Sequence, residues 1–230
     1  MTHSIPVIAI DGPTASGKGT VAAAVATRLG FHYLDSGALY RIVALAALRA
    51  STSTLMDDSR ALARLASAID PAFVEGRILE NGEDITLAIR TEAVSQTASR
   101  CAVFPEVRQA LLERQRAFRR PPGLVADGRD MGTVVFPDAS LKVYLTASAG
   151  ERAQRRHKQL IAKGIPATLE GLLRDLHERD ARDSGRADAP LVVASDALLI
   201  DTTGLSIVAA NNRIVEAWET SRGAGSGSIG

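Results

Sequence analysis

The sequence predicts an α/β fold of three layers: a five-stranded parallel sheet between helices, with a small antiparallel β insert and a helical lid. Three observations carry that reading. Five short apolar runs alternate with helical stretches along the 230 residues, which argues for a parallel sheet covered on both faces. A glycine-rich turn joins the first run to the first helical stretch. Between 71 and 90 the rhythm breaks into short β-like pieces punctuated by an Asn-Gly step, a strong hairpin signal.

The apolar runs are Val7 to Ile10, Phe31 to Leu34, Leu124 to Ala126, Leu141 to Leu145 and Ala197 to Ile200. Several end at a small or acidic residue, as strands feeding active-site loops often do. Gly30 stops the first helix where a C-terminal glycine is expected. In the insert, Ala72-Phe73-Val74, Arg77-Ile78-Leu79 and Ile85-Thr86-Leu87 are joined by Glu75-Gly76 and Asn81-Gly82. Helix resumes at Thr91, with Glu92 near its start, and Pro105 opens another helix expected to run to Arg119. Pro121-Pro122-Gly123 ends it. Two arginine-rich helical stretches, about 150–163 and 168–184, flank Gly164 and Pro166. One domain is expected over 1–222, with the insert at about 60–105 and the lid at about 150–166. The Gly/Ser-rich segment 223–230 reads as a disordered tail.

Composition excludes several classes. At 46% hydrophobic the chain can bury a full core, and a net charge of +1 provides no global field that would select nucleic acid. Arginine outnumbers lysine 23 to 4. Arginine grips phosphate bidentately, so the excess suits a phosphate-rich site, and a bias in genomic base composition explains it equally well. Cys101 stands alone, which excludes an intramolecular disulfide and fits a reducing compartment; its expected role is that of a small buried apolar residue. The four histidines show no metal-ligand spacing. The run Val21 to Ala26 is far short of a membrane span, and the first ten residues lack the basic region of a targeting signal. A cytoplasmic monomer is expected, with no membrane and no nucleic acid among its partners.

The first apolar run leads directly into Gly12-Pro13-Thr14-Ala15-Ser16-Gly17-Lys18-Gly19-Thr20. Strand, spacing and lysine together make this a phosphate-binding loop, so the chain handles a nucleoside triphosphate. Gly12 and Gly17 let backbone N–H groups converge on phosphate oxygens. Lys18 reaches the β- and γ-phosphates, and the following helix presents the positive end of its dipole. Thr20 offers a hydroxyl ligand for Mg²⁺, while Gly19 occupies the place directly after the lysine where Ser or Thr is more usual.

Three further clusters carry chemistry. Asp35-Ser36 at the end of the second strand can cap the next helix, and Arg41, about one turn in, would face an acceptor phosphate. In Asp127-Gly128-Arg129-Asp130-Met131-Gly132, Asp127 is placed to orient the water shell of Mg²⁺ and Arg129 to grip phosphate; a plain Asp-Gly turn with solvated charges is the bland alternative. Arg179, Arg182, Asp183 and Arg186 recur at helical spacing, so that pairs such as Arg179–Asp183 can form, although a solvated helix face is the ordinary explanation of that pattern alone. With Glu151-Arg152 and Arg155-Arg156 they bracket a Gly-Ile-Pro segment, as arginines of a mobile lid would. No nucleophile is paired with a base. An acceptor that is itself a phosphate oxygen needs none, since it is anionic at neutral pH.

At these residues the chain resembles the bacterial cytidylate kinases, members of the nucleoside monophosphate kinases. The matching pieces are Ile10 to Pro13 with Gly17 to Thr20, Leu34 to Arg41, Ile89 to Glu92, Phe104 to Arg108, Gly128 to Pro137, and Arg179-Asp180 through Arg186; together they span roughly 5–215. The resemblance implies a P-loop core, an inserted monophosphate-binding subdomain and a lid, and the Mg²⁺-dependent reaction of ATP with CMP or dCMP to give ADP and CDP or dCDP. It implies that Ser99, Arg108 and Asp130 read the cytosine base, and that Arg41, Arg129 and Arg186 hold phosphate. Arg179 and Asp183 would contact the sugar side, with Ser36 beside the acceptor. Lys18, Asp127, Arg129, Arg155 and Arg186 are the expected catalytic set. Ala15 departs from the pattern, standing where relatives often carry glycine.

Selectivity has a physical basis. Cytosine presents an amino donor where uracil presents an acceptor, so Asp130 can accept from the first and would face an oxygen of the second. Leaving such a buried group unpaired costs about 1–3 kcal/mol or more, enough to reject uracil strongly. The competing readings are another P-loop kinase acting on UMP, AMP or a metabolite hydroxyl, and a non-catalytic ATP-sensing module.

Overall fold

The computed structural model describes residues 5–50, 56, 58–74, 76–162 and 164–226. The chain divides into two compact units, Met1–Leu34 with Phe118–Gly230, and Asp35–Ala117.

The first unit holds the large sheet. Strand β1 (Val7–Asp11) lies at its centre, with β6 (Leu124–Gly128) on one side and β7 (Leu141–Thr146) on the other, both parallel to it, Val7 opposite Leu124 and Ile8 opposite Leu141. Strands β2 (His32–Asp35) and β8 (Leu198–Asp201) complete the order β2-β6-β1-β7-β8. The centre belongs to β1 because Val7-Ile8-Ala9-Ile10 carries no polar side chain and is buried throughout. Each of the five expected strands is present. All five run one or two residues further at the carboxyl end, and Asp11, Asp35 and Asp201 close three of them.

Helices α1 (Lys18–Leu29) and α8 (Ile207–Ser226) cover one face, joining Val21, Val25, Ile214 and Trp218 to Ile8, Ile10 and Val143 of the sheet. The Phe31 and Trp218 rings meet edge to face at 5.7 Å. Gly30 caps α1 in the left-handed region at φ 66°, as its position predicted. Helix α8 continues past residue 222 to Ser226, into the segment expected to be a tail; the remaining residues, 227–230, lie outside those described. Helices α6 (Ala149–Ile161) and α7 (Leu169–Ser184) pair through a small apolar cluster of Ala153, Leu160, Leu172 and Leu176. Their first turns are capped by Ser148 and Thr168.

The second unit holds α2 (Ser36–Arg49), α3 (Ser59–Ala68), a three-stranded antiparallel sheet, α4 (Glu92–Cys101) and α5 (Pro105–Arg116), with α2 packed on α4 and α3 on α5. It takes in α2 as well as the expected insert at 60–105. The small sheet is β3 (Ala72–Val74), β4 (Arg77–Glu80) and β5 (Glu83–Asp84); Glu75 lies outside the described residues. The third piece was expected at 85–87 and sits earlier. Asn81 and Gly82 both take positive φ, 51° and 82°, forming a two-residue turn that places Glu83 opposite Glu80. Beyond Asp84 the Ile85 N–H still donates to the Ile78 carbonyl at 2.9 Å, but the return bond goes to a side chain: the Thr86 hydroxyl accepts from Ile78 N–H at 2.8 Å, and the chain turns into a 3₁₀ segment at Ala88–Arg90.

Helix α5 stops at Arg116, short of the expected Arg119. Phe118 onward belongs to the first unit, where Arg119 donates to the Ile5 carbonyl and to Asp138, each at 2.7 Å. Cys101 is fully buried, and burial pushes its thiol up to about 11, in keeping with an inert apolar role. Among the described residues no helix is long and apolar enough to cross a membrane.

Candidate active site

The loop between β1 and α1 owes its shape to two glycines. Gly12 has φ 153°, and a Cβ on it would stand 2.0 Å from the Leu145 carbonyl oxygen, so no other residue fits. Gly17 is the N-cap of α1 at φ 88°, and no side chain caps the helix. The opening N–H groups of α1 and the positive end of its dipole are thereby left to an anion. Ala15, the departure noted in the sequence, takes φ 62° without being glycine. Its methyl packs against the α6–α7 apolar cluster.

Lys18 opens α1 with its ammonium 3.4 Å from the Pro13 carbonyl and 3.8 Å from Asp127 at the end of β6, both side chains about nine-tenths buried. The Tyr33 hydroxyl lies 3.4 Å from Asp127 Oδ2. A Cβ at residue 19 would meet that same oxygen at 3.0 Å. Glycine after the lysine therefore lets the carboxylate approach the helix, which accounts for the missing Ser or Thr. Thr20 is exposed on the first turn of α1. Among the described residues no three His, Cys, Asp or Glu side chains gather in metal-binding geometry.

Arg129 follows β6 and gathers the next group. Its Nε donates to Asp183 at 2.8 Å, one terminal nitrogen donates to the Thr14 hydroxyl at 2.7 Å, and the other to the Gly128 carbonyl at 3.0 Å. Arg186, just beyond α7, donates to the other oxygen of Asp183. Burial acts to raise the Asp183 carboxyl, but Arg129 and Arg186 outweigh it and hold the group below its ordinary value. Two guanidinium groups against one carboxylate leave net positive charge beside the phosphate loop. Arg179 and Asp183 are both buried on α7.

Arg155, expected in the catalytic set, has a different set of partners. On α6 it pairs with Glu151 at 2.8 Å and donates to the Ser16 carbonyl at 3.1 Å, the Thr202 carbonyl at 2.6 Å and the Thr202 hydroxyl at 3.0 Å. Arg152, one turn earlier, makes a bidentate pair with Asp180 and donates to the Thr14 carbonyl at 3.2 Å. These two arginines of α6 therefore hold the backbone of the phosphate loop.

Asp11 was not expected as a site residue. Its two oxygens accept from Met131 and Gly132 N–H, each at 2.8 Å, fixing the turn that carries Arg129 and Asp130. Burial pushes its carboxyl up to about 7, against those two donors and with the nearby charges of Asp130 and Asp127 adding to the rise. The signal in the sequence was an acidic residue closing a buried strand immediately before the glycine loop. Asp130 itself is buried, ahead of an unusual π-helical turn at Met131–Val135.

The second unit carries the other expected residues. Asp35 caps α2, accepting from Ala38 N–H at 3.1 Å, so the capping role expected at Asp35 or Ser36 falls to Asp35. Ser36 is buried at the start of α2, and Arg41 lies half-buried one turn on. Ser99 lies half-buried on α4. Arg108 on α5 is buried, donating to the Ala102 carbonyl at 3.3 Å with its guanidinium 5.8 Å over the Tyr40 ring.

A profile of the family described as cytidylate kinase matches residues 8–220. A cytidylate kinase of Paraburkholderia phymatum is 58% identical over 214 residues, covering 93% of each chain. One of Burkholderia multivorans is 59% identical over 214 residues with the same coverage. Among solved structures, TT1252 from Thermus thermophilus aligns over 95% of this chain and 98% of its own at 20% identity, with a TM-score of 0.46, too distant a likeness to bear on function.

Proposed function

The chain belongs to the cytidylate kinase family, and on that premise we propose that it transfers the γ-phosphoryl group of ATP to CMP and dCMP. An oxygen of the monophosphate forms a bond to the γ-phosphorus while the bond from that phosphorus to the β–γ bridging oxygen breaks. The products are CDP or dCDP and ADP. The observation that carries the proposal is the placement of Arg129, which joins the phosphate-loop residue Thr14 to Asp183 and through it to Arg186. A triphosphate seated on the loop would meet the positive charge of that group as its γ-phosphoryl moves.

No proton need be removed from the acceptor, so the side chains work by alignment and charge neutralisation. Lys18 holds the β- and γ-phosphates, and Arg129 and Arg186 turn from Asp183 toward the transferring group. Arg41 is assigned to the acceptor phosphate, with Ser36 beside it. Ser99, Arg108 and Asp130 are assigned to the cytosine, and Arg179 and Asp183 to the sugar. The Asp127 carboxylate and the Thr20 hydroxyl are hard oxygen donors at the loop, a set that fits Mg²⁺, which takes few protein ligands and keeps phosphate and water around it. When bound, Mg²⁺ would neutralise charge on the β- and γ-oxygens. The setting is taken to be the cytoplasm and the working form a monomer.

A coupled assay of ADP release with CMP, dCMP, UMP and AMP in turn tests the reading. Turnover preferring the cytidine nucleotides supports it. Equal or better turnover of UMP or AMP points to a different nucleotide kinase, and ATP binding without turnover points to a sensing module.

A further inference from the structure

Thr202, just beyond β8, is 3% exposed. Its hydroxyl lies 3.0 Å from the Ser16 carbonyl and 2.9 Å from the Thr146 carbonyl, and accepts from Arg155 at 3.0 Å. The Thr146 carbonyl already receives the Thr202 N–H at 2.8 Å. The one hydroxyl proton is within reach of both carbonyls, and the Ser16 contact is the one that reaches the phosphate loop. Arg155 donates to the same Ser16 carbonyl at 3.1 Å, so that oxygen is held from two directions by groups outside the loop.

A peptide unit is planar and trans, so its C=O and the next residue's N–H point in opposite directions. Anchoring the Ser16 carbonyl toward Thr202 and Arg155 therefore aims the Gly17 N–H the other way. Gly17 sits at φ 88°, a conformation glycine leaves at little cost, so this anchor helps to hold its direction. Two residues earlier the pattern repeats more weakly: Arg152 holds the Thr14 carbonyl, which orients the Ala15 N–H.

We propose that Thr202 is a positioning residue for the nucleotide: together with Arg155 it clamps the Ser16 carbonyl and thereby aims the Gly17 N–H at a phosphate oxygen of the bound nucleoside di- or triphosphate. The proposal rests on the nucleotide-binding reading above and makes Arg155 a positioning group in the same clamp. Because the clamp precedes any choice of acceptor, it acts on the donor nucleotide alone.

The test uses the full chain and two kinds of measurement: ADP binding by titration calorimetry, and KM for ATP and CMP in the coupled assay. Thr202→Val keeps the shape and removes the hydroxyl; Thr202→Ser retains it. Thr202→Val is expected to weaken ADP binding and raise the ATP KM about five-fold, the scale of one net hydrogen bond, with the CMP KM within about two-fold of wild type. Thr202→Ser should stay within about two-fold on every measure. Should Thr202→Val fail to fold, Thr202→Ala against Thr202→Ser carries the same comparison, since those two differ only by the hydroxyl. The proposal is overturned if the hydroxyl-free variant binds ADP like wild type, if serine loses as much as valine or alanine, or if the KM values for ATP and CMP rise together. ADP binding needs no acceptor: a wild-type protein that binds ADP yet does not phosphorylate CMP defeats the proposed function, and the ADP data still decide the clamp.

Discussion

Replacing Asp183 by asparagine keeps the shape of the side chain and removes the charge that two arginines share. In the wild type one carboxylate oxygen takes Arg129 at 2.8 Å and the other takes Arg186, with the Asp183 and Arg186 side chains only 6% and 4% exposed. The amide has a single acceptor oxygen, so one guanidinium keeps a neutral partner and the other faces an NH₂ group. Removing one partner from a buried ion pair costs about 3–5 kcal/mol, because the remaining charge stays desolvated. Arg129 is partly open to solvent at 22% and can relax, which favours the lower end, about 3 kcal/mol. The pH dependence supplies a second check. The carboxyl is held below its ordinary value, so its contribution is fully present above the unfolded-state pKa of about 4 and is lost as pH falls through the lower folded value. Urea unfolding of wild type and Asp183→Asn at a series of pH values should show a gap of about 3 kcal/mol near pH 7 that closes in acid. A gap below about 1 kcal/mol at pH 7, or one that persists unchanged in acid, would refute the argument that Asp183 acts through its charge.

Gly12→Ala should abolish nucleotide binding and destabilise the fold by about 3 kcal/mol or more, read by thermal unfolding, because its Cβ would stand 2.0 Å from the Leu145 carbonyl oxygen. Asp130→Ala should lower the kcat/KM ratio of CMP over UMP while leaving ATP KM within about two-fold, and equal losses for the two acceptors would remove Asp130 from base reading. Asp11 binds its proton more tightly folded than unfolded, with a pKa of about 7 against an ordinary 3.8. Its contribution to stability should therefore decline as pH rises from about 4 to about 7 and then level off, a slope that Asp11→Asn, which cannot ionise, should lack.

Much of this was legible in the residues. The five core strands are short apolar runs whose burial on both faces leaves few alternatives, and the glycine loop declares itself by local spacing. The hairpin is legible from Asn81-Gly82, but its last strand sits earlier than the apolar run suggests because a two-residue turn sets register before hydrophobicity does. The end of α5 was overrun because Arg119 is helix-compatible locally and is held elsewhere by Ile5, 114 residues away in sequence. The same non-locality hid the anchoring of the phosphate loop. Arg152 and Arg155 read by composition as arginines folding over a phosphoryl group; besides the carboxylates of Asp180 and Glu151 they also reach the carbonyls of Thr14 and Ser16, 138 and 139 positions away. Carbonyl acceptors have no side-chain signature, so nothing in a sequence pattern marks them.

Transfer of label from γ-³²P-ATP, with products separated by chromatography, tests the central claim most directly, because release of ADP alone would also follow from hydrolysis. With CMP or dCMP as acceptor the label should appear in CDP or dCDP, and far less in UDP when UMP is supplied. Label found only in inorganic phosphate, or distributed equally between CDP and UDP, would contradict the account.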